Sequence, residues 1–195
     1  MTTRERLLDE AEFLFARSSI AGVTTREITE AAEQRNTSAV SYHFGSREGL
    51  LLELLARRGG PIDDERGAQR DALGARPTLR ELVACLVVPY CSVLRTPEGR
   101  SYLRIVAQLR GRFAAWRVES DTETTKHLSR ILDEIESRPK LADALRRERV
   151  VALIMVITAT TAERARRLDG DARVELSHDE FVGNLLDMCT ALVAA

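Results

Sequence analysis

From position 78 to the C-terminus, apolar residues recur at helical spacing and no convincing strand appears. The pattern predicts helices over roughly 78–95, 98–118, 121–137, 139–168 and 178–193. Thr96-Pro97, Arg138-Pro139 and Leu168-Asp169-Gly170-Asp171 break the pattern between them. Upstream, Met-Thr-Thr-Arg-Glu-Arg runs straight into an amphipathic helix. Thr24 and Glu27 then have the spacing of a capping box, which opens a helix over roughly Thr25–Ala32. Ile28, Ala31 and Ala32 supply its inner side, and Arg26 and Glu30 point outward. Glu33-Gln34-Arg35 interrupts the pattern, and Asn36 suits the cap of a further helix from Thr37 to about Phe44. Ser46 is placed to cap the next helix, whose first residue is Arg47. Arg57-Arg58-Gly59-Gly60-Pro61 reads as that helix's end, because Gly offers a C-cap and Pro cannot continue. The expected fold is all-α, with an N-terminal three-helix helix-turn-helix domain at 1–58. A C-terminal helical bundle follows at 59–195.

The segment 37–44 carries the most informative chemistry. Val40 and Phe44 share one face at i,i+4, while Thr37, Ser38, Ser41 and Tyr42 share another that lacks Asp, Glu and Lys. Small hydroxyls and one phenol permit close approach to base edges and the thymine methyl, where long charged chains would obstruct. Between Gln34 and Arg47 the formal charges are Arg35 and Arg47, both positive. The free N–H groups of a helix start and the Arg47 guanidinium suit a shared phosphate. Two short helices around a polar turn are the unit that lays a helix into the major groove.

Bulk charge does not support this reading. Residues 1–58 hold eight Arg and nine Asp or Glu, so attraction to phosphate is local to the acid-free face. At 195 residues and 44% apolar, the chain is long enough to bury one or two cores. Cys85, Cys91 and Cys189 lack Cys-x-x-Cys or Cys-His spacing, which predicts buried free thiols rather than a disulfide framework or zinc site. No cofactor or metal is expected. The N-terminus has no secretory apolar region. The run Val150–Ala162, broken by Thr158, Thr160 and Thr161, is too short to span a bilayer of about 30 Å. The chain is therefore expected to be cytoplasmic. Lys occurs only at 126 and 140; this arginine bias is explained by genome base composition as well as by binding.

Residues 3–58 resemble the N-terminal domain of TetR-family (TetR/AcrR-like) transcriptional repressors. The resemblance rests on Leu7, Ala11, Leu14 and Phe15, then Thr24-Thr25-Arg26-Glu27-Ile28, Tyr42-His43-Phe44, and Ser46-Arg47-Glu48 before the leucines. It implies a third helix in the major groove, with Thr37, Ser38 and Ser41 at bases and Tyr42, His43 and Arg47 at phosphates. Arg26, with Thr25, would contact DNA from the second helix. His43 has a second reading, a half-buried ring stabilising its helix end. Two departures stand out: Glu33 occupies a turn position where the family usually has Gly, and Ile28–Phe44 is one residue longer than usual. Arg35 or Asn36 could therefore reach DNA in place of Thr37. Ser41 also stands where a Tyr is common.

In the second domain Val150–Ile157 is apolar around the whole helix circumference, and Phe181, Leu185, Met188, Cys189 and Leu192 form one stripe. Pairing the last two helices with those of a second copy would cover this surface; a central helix buried within a monomer is the alternative. The resemblance also implies a dimer through these helices. The interface expected is Val151, Ile154, Thr158, Phe181, Leu185, Met188 and Leu192. Tyr90, Tyr102, Phe113, Trp116, His127 and Met155 mix aromatic surface with polar tips, which suits either a small-molecule effector cavity or plain core. Few charges among them would favour a lipophilic or aromatic compound.

The function expected is a dimeric, sequence-specific transcriptional regulator. It would be a repressor released from its double-stranded operator by a small-molecule effector. One rival is a protein-interaction module with lost or weak DNA binding. The other is a helical enzyme, although His43, His127 and His178 lie in separate segments and no nucleophile has a local activating motif.

Overall fold

The computed structural model describes residues 1–36, 38–109, 125–170 and 173–195, which form helices and no strand. In chain order these are α1 (Thr3–Arg17), α2 (Thr25–Ala31), α3 (Ala39–Phe44), α4 (Arg47–Ala72) and α5 (Leu79–Ser92). A 3-10 turn (Val93–Arg95) precedes α6 (Pro97–Leu109), and α7 (Lys126–Glu136), α8 (Asp143–Asp169) and α9 (His178–Ala194) complete the bundle.

Four helices start on the same local device. Thr2/Glu5, Thr24/Glu27, Thr78/Glu81 and Ser177/Glu180 are capping boxes that open α1, α2, α5 and α9. In each, the hydroxyl accepts from the Glu N–H and the carboxylate accepts from the cap N–H. These hydrogen bonds hold all four carboxylates below their ordinary pKa.

The helix expected from 139 starts only at Asp143, the expected limits at 118 and 121 lie outside the described residues, and two further limits differ from expectation. Asn36 does not cap α3 directly; Ser38 occupies the cap position without a side-chain bond, and Asn36 Oδ1 accepts from the Ser38 N–H at 2.9 Å. The fourth helix does not end at Gly59-Gly60-Pro61 but runs unbroken to Ala72. Its glycines supply room rather than a stop. A Cβ on Gly59 would lie 3.0 Å from the Tyr102 hydroxyl, and one on Gly67 would sit 2.6 Å from the His127 ring. Pro61 is on the exposed side of the helix, where water can take the carbonyl it leaves unpaired.

At 26 residues, α4 is about 39 Å long and crosses two apolar cores. The N-terminal core gathers Leu7, Phe15, Ile28, Val40, Leu50 and Leu54, and takes Ile105 from α6. The larger core starts on α4 at Ile62 and runs through α5 to α9, ending at Val193. Each such Leu, Ile or Phe contributes about 1.5–3 kcal/mol by burial. The boundary expected near residue 58 thus falls inside one continuous helix, between the last residue of one core and the first of the other.

Within the apolar stretch of α8, Thr158, Thr160 and Thr161 donate to the carbonyls of Ile154, Val156 and Ile157 at 2.7, 2.6 and 2.7 Å. Hydroxyls satisfied by their own helix can be packed in a core at little cost. The three cysteines are free and buried, and burial raises the Cys91 and Cys189 thiols to about 12 and about 11. Among the described residues, no helix is long and apolar enough to cross a membrane.

Candidate nucleic-acid interface and regulatory interior

α3 is a six-residue helix anchored from behind by Val40, which is buried, and Phe44, which is half-buried under the Arg4 guanidinium at 5.2 Å. Its other face is free. Ser38 and Ser41 are exposed, and Tyr42 is 83% exposed, the ring standing edge-on to His43 at 4.9 Å. His43 is half-buried between Tyr42 and Phe44. Arg35 and Asn36 are exposed in the preceding turn, while Thr37 lies outside the described residues.

The turn itself carries backbone strain. Glu33 adopts φ 56°, the left-handed region that a Cβ disfavours, at the position where Gly was expected. Its N–H donates to the Glu30 carbonyl, and Gln34 N–H donates to Thr29 at 2.8 Å, which fixes the reversal. On α2, Thr25 is half-exposed, and Arg26 is exposed but donates to Glu30 at 2.7 Å, so its guanidinium is shared with a carboxylate. Ile28 and Ala32 face inward as expected. Ala31 does not, and Thr29 takes that side instead, its hydroxyl donating to the Arg26 carbonyl.

Arg47 is not aimed at solvent. Its Nε donates to the Val23 carbonyl at 3.1 Å, its Nη2 donates to the Ile20 carbonyl, and the guanidinium lies over the Phe15 ring. It fastens the loop between α1 and α2 to the start of α4. Ser46 caps α4 as expected, accepting from Gly49 N–H.

Two long-range fasteners had no local sequence signal, because their partners are distant in the chain. Gln108 on α6 accepts from Ile20 N–H at 2.7 Å and donates to the Phe15 carbonyl at 2.8 Å. Glu12, buried on α1, receives Arg57 at 2.6 Å and Arg58 at 2.8 Å, while Asp9 receives Arg57 at 2.7 Å. The Glu12 carboxylate holds the Arg58 guanidinium above its ordinary pKa.

Of the effector-cavity residues, Tyr90 and Tyr102 meet in the bundle interior, ring centroids 6.4 Å apart and nearly perpendicular. Burial drives the Tyr90 phenol well above its ordinary range and Tyr102 up to about 12. His127 packs its ring on Gly67 of α4. Phe113 and Trp116 lie outside the described residues. Met155 is not with the tyrosines; it is exposed on the outer side of α8, one turn from Val151. A cleft of about 250 Å³ between α4, α5 and α6 is lined by Arg57, Arg58, Pro61, Glu65 and Tyr102 among others.

The expected dimer residues divide in two. Val151 and Met188 are exposed at 40% and 45%, and Phe181 and Leu192 are half-buried. Ile154, Thr158 and Leu185 face their own bundle core instead, since successive helical positions turn inward. Met155, at 38% exposure, replaces them on the outer stripe.

An exposed short helix on a compact three-helix head, joined by a continuous α4 to a larger bundle, defines an all-α helix-turn-helix fold with a C-terminal helical domain. Residues 7–54 match the family described as bacterial regulatory proteins, tetR family. Solved structures of similar fold include a TetR-like transcriptional regulator from Rhodococcus sp. RHA1, with 14% identity and a TM-score of 0.64 over 98% of this chain and 93% of that one. The fatty acid degradation regulator FadR from Bacillus halodurans matches at 13% identity and TM-score 0.64, over 97% and 95%. The ketosteroid transcriptional regulator KstR2 of Mycobacterium tuberculosis matches at 18% and 0.61, over 97% and 94%. A comparison with curated protein sequences finds no match. Residues 7–54 thus match the model of that family, and the whole chain shares the fold of these solved regulators.

Proposed function

We propose that this protein is a homodimeric, sequence-specific DNA-binding regulator, a repressor that leaves its operator when a small molecule binds the bundle. The observation that carries the reading is the α3 surface: Ser38, Ser41 and Tyr42 are exposed together, acid-free, on a helix whose opposite side is core. Ser38 and Ser41 read base edges, and Tyr42 and His43 contact phosphates, with Arg35, Asn36 and Thr37 at the leading end. Thr25 and Arg26 reach the backbone from α2, Arg26 exchanging Glu30 for phosphate. Arg47 positions the head, its Nε and Nη2 donating to Val23 and Ile20.

The dimer forms through α8 and α9, whose outer stripe of Val151, Met155 and Met188 a second copy would cover. Two-fold pairing then presents two α3 helices to half-sites about 34 Å or more apart. Effector binding shifts the population toward a shape in which that spacing is lost. α4 is the natural lever, because one helix carries residues of both cores. The test is a mobility shift with DNA flanking the protein's own gene, at low and then rising ionic strength. A specific, salt-weakened complex is expected; no complex at low salt refutes the reading.

A further inference from the structure

Arg66 on α4 is a cation sealed in the bundle with too few partners. It is only 9% exposed, and its Nε is buried without a hydrogen-bond partner. Among the described residues its carboxylate neighbour is Asp63, 3.7 Å away. Asp63 is committed elsewhere. Its oxygens accept from the His127 and Leu128 N–H groups at 2.9 and 2.8 Å, which caps α7 from a neighbouring helix. The positive end of the α7 dipole therefore balances much of the Asp63 charge.

The guanidinium lies 5.7 Å from the Tyr90 ring centroid, and Tyr90 Oη, also buried, lacks a hydrogen-bond partner. The Thr161 hydroxyl, which donates to Ile157, lies near that phenol. Tyr102, edge-on to Tyr90, lines the cleft between α4, α5 and α6. Tyr90 and Tyr102 are members of the larger apolar core. A buried guanidinium with an unsatisfied Nε beside a phenol oxygen without a partner is destabilising on its own. An incoming anion would remove both deficits at once.

We propose that Arg66 and Tyr90 form the seat for the carboxylate of an otherwise apolar effector, with the guanidinium supplying charge and the phenol a donated hydrogen bond. A carboxylate fits because its single charge answers a single cation and its planar oxygens match the guanidinium edge. The proposal refines the ligand-responsive reading above and rests on it only for the consequence at DNA. Binding itself can be measured without DNA.

The experiment is thermal unfolding of the full-length chain against saturated straight-chain and phenylalkyl carboxylates of graded length, each paired with its primary amide. Carboxylates of fitting length raise the wild-type Tm by several degrees and their amides do not. Arg66→Met is more stable without ligand than the wild type and no longer responds. Tyr90→Phe keeps its fold and binds about tenfold more weakly. Equal shifts by acids and amides, no acid-selective shift anywhere in the panel, or an undiminished response in Arg66→Met would each overturn the proposal. None of these outcomes touches the mobility-shift result, so failure of the ligand class and failure of DNA binding remain distinct.

Discussion

Gln108 and Arg47 hold Ile20 from both sides: the Gln108 amide oxygen accepts from its N–H, and the Arg47 guanidinium donates to its carbonyl. A residue at the end of α6 is thereby joined to the first residue of α4, next to α3, through one loop backbone. Gln108→Ala removes the α6 side of this grip and leaves Ile20 N–H and the Phe15 carbonyl without their partner. A loss of about 1–3 kcal/mol in stability is expected. Amide exchange at Ile20 should accelerate in step with it; unchanged protection there would show that the grip is not maintained in solution.

Tyr42 and Ser38 should separate positioning from reading. Tyr42→Ala deletes a backbone contact and is expected to weaken binding to every DNA sequence, with a smaller salt dependence if phosphate approach is lost. Ser38→Ala should alter preference among operator variants, by about 1–3 kcal/mol at the affected base pair. Titration against a panel of operator substitutions checks both. Uniform loss across the panel for both variants would remove Ser38 from the reading surface.

Glu33 at φ 56° invites the opposite kind of variant. Glu33→Gly should relieve about 1 kcal/mol of left-handed strain, offset in part by the greater freedom of Gly in the unfolded chain. The net expectation is a small rise in denaturant midpoint. A clear fall would mean that the Glu33 side chain, which lies 3.8 Å from Arg6, matters more than its backbone.

Met155→Glu places a charge on the outer stripe of α8 without touching the core. The variant should keep its helical circular dichroism yet sediment as a monomer at micromolar concentration, and lose affinity for a two-half-site operator. A variant that remains dimeric would exclude this face as the interface.

The acid limb of stability follows from carboxylates whose pKa is lowered in the fold. Hydrogen bonding by Arg70 lowers Glu134 from 4.5, and the four capping-box glutamates are lowered by their Thr or Ser partners. A lowered folded pKa means that the stabilisation is present above about 4.5 and is lost as pH falls through the folded value. Urea midpoints should therefore decline below pH 4.5, beyond the earlier loss below about 6.5 that His178 contributes, its pKa lowered by burial. Glu134→Gln, which cannot titrate, should show a shallower decline.

Helix starts were largely legible because caps are local. The Thr24-x-x-Glu27 pair predicted the opening of α2, and Ser46 that of α4, since hydroxyl and amide lie within one turn. The inward Val40 and the free Ser38, Ser41 and Tyr42 follow from helical geometry over a few residues. Gly59-Gly60-Pro61 was misleading for the converse reason. Its small residues make space for Tyr102, a residue of another helix, and no local rule distinguishes that from a stop.

What the sequence determined by itself is the series of helices, the division of apolar residues into stripes and the polar character of α3. Each of these depends on neighbours within one or two turns. Only the tertiary structure decided that α4 continues between two cores, that Arg47 turns inward to Ile20 and that Met155 lies outside the tyrosine cluster. It alone paired Gln108 with Ile20 and left Arg66 under-partnered. Those outcomes depend on which helices approach one another and how closely, and burial and hydrogen bonding at such contacts join residues up to 107 positions apart.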